Sequence, residues 1–390
     1  MDHICSATLV CSHCMSNYDI TQVNTFCPNC IKPFLVEFDL PLCEPSKVIY
    51  QDEHSMWRYA NVLPLMDQSN RVSLGEGMTP LSQMDILGKS HGLTNLWLKD
   101  EGLNPTGSFK ARGLSMAVSK AKELGIKKCV IPTAGNAGGA LSAYCAKAGI
   151  EAIVVMPNGT PRIFQMECEL HGAKLTLVDG LIDACGKKAK EIKDETGAFN
   201  ISTLKEPYRI EGKKTMGYEI TEQMSWSLPD AIIYPTGGGT GLIGMWKAFN
   251  EMVRMGWVNS RYLPKMIVVQ SELCAPMVDL FKGKKSARSF QMSIANGLSV
   301  PKAFGEDLIM SVLNESEGTA LTVSDKQMVE GMHEFAQKEG IIVSPEGAAV
   351  WEATKQLVDL EFLHPDEKIL MINTGSGFKY FENIDRDLLN

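Results

Sequence analysis

The sequence predicts an α/β fold built on parallel sheets, preceded by a small segment of a different kind. Three observations carry this. Short apolar runs without polar alternation recur along the chain, as buried parallel strands require. Each is followed by glycines or by a helical pattern, which puts helices over both faces of the sheets. The opening segment instead holds two Cys-x-x-Cys pairs and little helical periodicity.

Taken in order, residues 1–45 read as a zinc-ribbon-like segment and 46–390 as the main region; 390 residues suit two lobes plus an appendage. A linking stretch with Glu44-Pro45 and Trp57-Arg58-Tyr59 runs to Leu74-Gly75-Glu76-Gly77. Strands are expected at Cys129–Pro132, Ala152–Met156, Leu175–Val178, Ala231–Tyr234, Met266–Val269 and Ile369–Ile372. Helices are expected at Leu114–Leu124, Gly138–Lys147 and Ile163–His171.

Composition excludes several classes. The net charge of −8 is mild and spread out, and Lys187–Lys193 reads as a solvated helix face. A nucleic-acid partner is not expected. No apolar run approaches a membrane span, and Met1-Asp2-His3-Ile4-Cys5 lacks the order of a signal peptide. Eleven cysteines, four of them in paired units and the rest scattered in apolar stretches, fit a reducing cytoplasm.

Cys11-Ser12-His13-Cys14 and Cys27-Pro28-Asn29-Cys30 are two knuckles that can close a tetrahedron of thiolates around Zn²⁺. Four protein ligands leave no open position, so such a site is structural. Unbound thiols and a redox pair are the alternatives. His13 and Cys5 lie nearby as bystanders.

Four further motifs carry chemistry. Asn104-Pro105-Thr106-Gly107-Ser108-Phe109-Lys110 puts a lysine at the opening of a helix. A helix N-terminus lowers an amine's pKa and attracts phosphate, which suits a nucleophile toward an aldehyde. Thr133-Ala134-Gly135-Asn136 follows a strand and opens a helix, where backbone N–H groups hold a carboxylate. Tyr234-Pro235-Thr236-Gly237-Gly238-Gly239-Thr240-Gly241 repeats the strand–glycine–helix pattern, fit for a phosphate, and lacks a Walker lysine. Asn373-Thr374-Gly375-Ser376-Gly377 follows the last strand, with a hydroxyl suited to a ring nitrogen.

In this order the four motifs resemble those of fold-type II pyridoxal-phosphate (PLP) enzymes, over roughly Ser73 to Lys379. Asn104–Lys110 and Pro207-Tyr208-Arg209-Ile210-Glu211-Gly212-Lys213-Lys214-Thr215 are most like threonine synthase. The resemblance implies two doubly wound lobes, the smaller at about 115–210 inserted in the larger, and a possible homodimer. It implies that Lys110 carries PLP as an imine and that Phe109 flanks the ring. Asn136 would meet the phenolate oxygen, Gly237, Gly238, Gly239, Thr240 and Gly241 the phosphate, and Thr374 the pyridine nitrogen. Thr133, Ala134, Gly135 and Arg209 would hold the amino-acid substrate.

This chain departs from the family at Ala111, where the family carries Asp, at Ala137, where it carries a Thr that helps hold the substrate phosphate, and in Thr203-Leu204-Lys205-Glu206, where Leu204 offers no donor and Glu206 repels an anion. Two enzyme readings follow, with PLP as cofactor in both. One is a threonine synthase, taking O-phosphohomoserine and water to threonine and phosphate. The other is β-elimination or β-replacement, as in a threonine/serine ammonia-lyase. A catalytically silent binding module is the third reading, and retention of all four motifs counts against it.

Overall fold

The structure, a computed structural model, describes residues 6–284 and 290–384, so Cys5 lies outside the described residues. The chain divides into two compact units. One comprises Met1–Met78, Lys110–Glu219 and Ile243–Trp257; the other comprises Thr79–Phe109, Ile220–Leu242 and Val258–Asn390.

In the first unit the opening segment is a three-stranded antiparallel sheet with Ala7–Cys11 between Asn17–Tyr18 and Phe34–Phe38. Alternation along Phe34-Leu35-Val36-Glu37-Phe38 buries Phe34, Val36 and Phe38. Phe38 covers a buried ionic cluster. Lys214 and Lys247 lie 4.2 and 5.1 Å from its ring, and both pair with Glu211 and Glu251 at 2.7–3.0 Å. Two lysines offset two glutamates, which keeps the cluster neutral.

The same unit holds a four-stranded parallel sheet ordered Lys174–Val178, Glu151–Pro157, Lys128–Pro132, Phe199–Asn200. Val130, Ile153 and Val155 pack on Cys185 and Ala189, the two buried residues of the Ile182–Thr196 helix. The lysine-rich remainder of that helix is exposed or half-buried, as expected of Lys187–Lys193.

The second unit is built on a six-stranded sheet ordered Thr319–Val323, Lys265–Ser271, Ala231–Pro235, Ile369–Asn373, Leu96–Asp100, Leu81–Gln83. Every neighbouring pair is parallel except the edge pair Leu81–Gln83 with Leu96–Asp100. Ala231–Pro235 and Ile369–Asn373 are buried at every position, which explains their unbroken apolar character.

Of the strands that escaped sequence reading, two in the six-stranded sheet did so for clear physical reasons. Leu96–Asp100 contains Lys99, which is buried and donates to the Thr79 carbonyl and Gln223 Oε1, both at 2.7 Å. Thr319–Val323 is partly polar and runs along the sheet edge. One boundary also moves. The helix expected from Gly138 begins at Asn136, because Gly135 takes φ 157° and its carbonyl accepts the Gly138 N–H at 2.9 Å.

Candidate active site

In the second unit, three motifs leave the same edge of the sheet. Ala231–Pro235, Ile369–Asn373 and Leu96–Asp100 are adjacent and parallel, so the loops that follow them emerge side by side. That edge, beyond the carboxyl ends of parallel strands, is where α/β sheets bind ligands. The Phe109 N–H donates to the Thr374 carbonyl at 3.0 Å and the Ser376 N–H to the Gly107 carbonyl at 2.9 Å. Asn373 Nδ2 donates to Asp100 Oδ1 at 2.7 Å, which fixes the two strand ends. Gly107 takes φ 63°, which turns the chain into Ser108-Phe109.

The glycine-rich loop is tightly held. A Cβ on Gly237 would run into the Gly297 carbonyl, and one on Gly241 into the Tyr234 hydroxyl. Gly239 adopts φ 78°, and the Thr240–Arg254 helix begins at the next residue. The loop therefore needs glycine for close approach, and helix-start N–H groups lie at its end. Two buried polar atoms in these motifs, Thr106 Oγ1 and Tyr234 Oη, have no hydrogen-bond partner among the described residues. The Tyr234 hydroxyl, orphaned beside a glycine cradle at a helix start, fits a phosphate-bearing ligand.

In the first unit, Lys110 is half-buried and opens the Lys110–Glu123 helix. The Tyr208–Gln223 helix packs directly on its first turn. A Cβ on Gly212 would run into the Arg112 carbonyl, and Gly113 backs onto the Arg209 carbonyl. Arg112 clamps the pair through Glu219, with Nη1 to Oε2 at 2.8 Å and Nη2 to Oε1 at 3.0 Å, all buried. Arg112-Gly113, just past the Lys110 motif, and Arg209-Ile210-Glu211-Gly212 are thus two halves of one helix crossing.

Arg209 is 1 % exposed, and so lies inside the unit and not at an open lip. Its Nη1 donates to the Ile201 carbonyl at 2.8 Å, and its Nε has no partner among the described residues. Glu206 caps the helix, accepting from the Tyr208 and Arg209 N–H groups at 2.8 and 3.0 Å. Burial pushes the Glu206 carboxyl up to about 7, against the pull of Arg209. Leu204 just ahead is buried with φ 62°, an uncommon conformation for a branched side chain. In the same unit Thr133–Gly135 caps the end of Lys128–Pro132. The Gly135 N–H donates to Thr133 Oγ1 at 3.1 Å, and Asn136 starts the next helix.

The four ribbon cysteines form a second cluster, with all sulfurs within 4.8 Å of one another. Cys11 and Cys30 sulfurs are 3.3 Å apart, Cys14 and Cys27 3.7 Å, and none is in a disulfide. The two knuckles repeat one backbone pattern. Met15 and Ile31 take φ 59° and 56°, and their N–H groups donate to the Cys11 and Cys27 carbonyls. The His13 and Cys14 N–H groups approach Cys11 Sγ at 3.4 and 3.5 Å.

Sequence reading passed over Tyr234 as a site residue, whose place in an apolar strand hid a hydroxyl without a partner among the described residues. No helix among the described residues is long and apolar enough to cross a membrane.

Comparison with known proteins agrees with this arrangement. A family model described as pyridoxal-phosphate dependent enzyme matches residues 72–375. The threonine synthase of Methanocaldococcus jannaschii is 32% identical over 382 residues, covering 95% of this chain and 92% of that protein. That of Methanosarcina acetivorans is 32% identical over 376 residues, with the same coverages. A threonine synthase of Mycobacterium tuberculosis is 31% identical over 322 residues, covering 82% of this chain and 87% of that one. Among solved structures, threonine deaminase isoform 2 of Solanum lycopersicum shares the fold. Its TM-score is 0.67 at 22% identity, covering 90% of this chain and 97% of that one. Maize serine racemase does so with a TM-score of 0.65 at 24% identity, covering 80% and 90%. With its motifs gathered at the strand ends and relatives alike over nearly its whole length, the chain belongs to the pyridoxal-phosphate-dependent enzyme family, among the threonine synthases.

Proposed function

We propose that this lyase converts O-phosphohomoserine and water to threonine and phosphate. The observation that carries the reading is the pairing of two motifs most like threonine synthase, Asn104–Lys110 and Pro207–Thr215. The second packs on the helix that Lys110 opens, through Gly113 and Gly212.

On this reading Lys110 holds PLP and Phe109 lies along the ring. Gly237 to Gly241, with the Thr240 hydroxyl, bind the cofactor phosphate through helix-start N–H groups. Asn136 donates to the phenolate oxygen and Thr374 meets the pyridine nitrogen. When bound, the cofactor supplies an electron sink that stabilises charge developing on the substrate carbons. With the cofactor in place, the Lys110 amine would take the proton from the substrate Cα. Thr133, Ala134 and Gly135 hold the substrate carboxylate through backbone N–H groups. Arg209 offers Nε, a donor without a partner among the described residues, to the substrate's anionic group. The phosphate would leave from Cγ, one proton would pass from Cβ to Cγ, and water would add its hydroxyl at Cβ while its other proton goes to the released phosphate.

A second reading, a threonine or serine ammonia-lyase, is favoured by one observation. Glu206 already answers the helix-start N–H groups and the charge of Arg209, so less of that positive field remains for a phosphate dianion. Product analysis separates the two. With O-phosphohomoserine the proposal expects threonine and phosphate in equal amounts. Ammonia and a 2-oxo acid from threonine, with no phosphate from O-phosphohomoserine, would establish the second.

We infer further that Cys11, Cys14, Cys27 and Cys30 bind a structural Zn²⁺. Arms of about 2.3 Å give tetrahedron edges of about 3.8 Å, close to the sulfur spacings of this cluster. The knuckle N–H groups directed at Cys11 Sγ suit a thiolate. Reading the protein as cytoplasmic accords with its free thiols.

A further inference from the structure

Tyr234 stands at a place that the reading above leaves unused. Its side chain is 1 % exposed, and its hydroxyl meets no partner among the described residues. A buried hydroxyl left unpaired keeps the full cost of losing its water, so an orphan in a well-packed sheet calls for a ligand that answers it. The ring meets Phe109 edge-on, with centroids 6.2 Å apart and planes at 79°. The hydroxyl occupies the space that a Cβ on Gly241 would need. The phenol therefore lies between the residue before Lys110 and the last glycine of the loop. Burial first, and then the charge of Glu101, hold it well above its ordinary value, so it is a hydrogen-bond donor at any working pH.

We propose that Tyr234 is a further cofactor-binding residue, whose hydroxyl donates a hydrogen bond to the phosphate of bound PLP beside the Gly237–Gly241 loop. The inference rests on the cofactor reading above. It differs from the role of the glycines, which serve through backbone N–H groups and cannot be tested by removing one atom. Tyr234→Phe removes only the oxygen, and the two states of the protein should respond with opposite sign. In the apo-protein the oxygen is an unsatisfied buried group, so its loss should leave the melting temperature unchanged or raise it. In the PLP complex a charge-assisted donor disappears, so affinity should fall about tenfold or more.

The experiment titrates PLP into apo wild type and apo Tyr234→Phe, following cofactor absorbance, with melting of both apo-proteins and the ³¹P resonance of bound PLP. Expected are weaker PLP binding, a shifted ³¹P resonance and an apo-protein no less stable than wild type. Equal PLP affinity in the two proteins would overturn the proposal, and would mean that a buried water answers the hydroxyl. An equal drop in apo and holo stability would also overturn it, because that marks a packing role. Wild type that does not bind PLP would instead remove the cofactor reading, and this inference with it.

Discussion

The ribbon and the strand-end loops both gather polar groups around a point, and they do so by opposite means. The ribbon is local. Two copies of one turn, Cys11–Met15 and Cys27–Ile31, bring four sulfurs together within 20 residues. The strand-end loops are assembled from residues more than 260 positions apart. What joins Phe109 to Thr374 is a parallel sheet whose neighbouring strands are far apart in the chain. A local site can be held by its own metal; a dispersed one depends on the fold that brings its parts together.

The largest effect expected follows from that difference. If zinc holds the ribbon, chelation or Cys27→Ser should lower the melting temperature by about 5 °C or more, because Phe38 would no longer cover the Lys214–Glu251 cluster. PLP affinity should change far less. Stoichiometric zinc should co-purify with wild type. Metal-free protein with unchanged melting would break the comparison, since the ribbon would then stand without its metal.

A smaller effect should mark the substrate side. Arg209→Lys keeps a charge and loses the guanidinium fork. If Arg209 meets the substrate phosphate, KM for O-phosphohomoserine should rise about tenfold to a hundredfold, from the ~1.5–3 kcal/mol of a charge-assisted bond. Cofactor absorbance should stay the same. An unchanged KM would mean that the buried guanidinium serves only the Ile201 carbonyl and Glu206.

Legibility in the sequence follows the same division. The knuckles were readable because spacing alone defines them, although spacing alone does not separate a metal site from unbound thiols. The buried strands Ala231–Pro235 and Ile369–Asn373 were readable because both faces are covered. Leu96–Asp100 was not, since Lys99 breaks the apolar run and its partners Thr79 and Gln223 are distant in sequence. The motif at Lys110 was visible as a motif. That Gly113 and Gly212 form one helix crossing was not, because a glycine's use as a contact surface depends on the partner it meets. Arg209 showed the same limit from the other side, its residue type legible and its burial not.

The central claim is that Lys110 carries the cofactor. Reduction of the PLP complex with borohydride fixes the bond between lysine and cofactor, and peptide mapping by mass spectrometry then locates it. The account predicts one modified peptide, carrying the label on Lys110, and none in Lys110→Ala, which should also lose the absorption band of bound cofactor and all turnover. Label on another lysine such as Lys99 or Lys213, or turnover near wild type in Lys110→Ala, would contradict it.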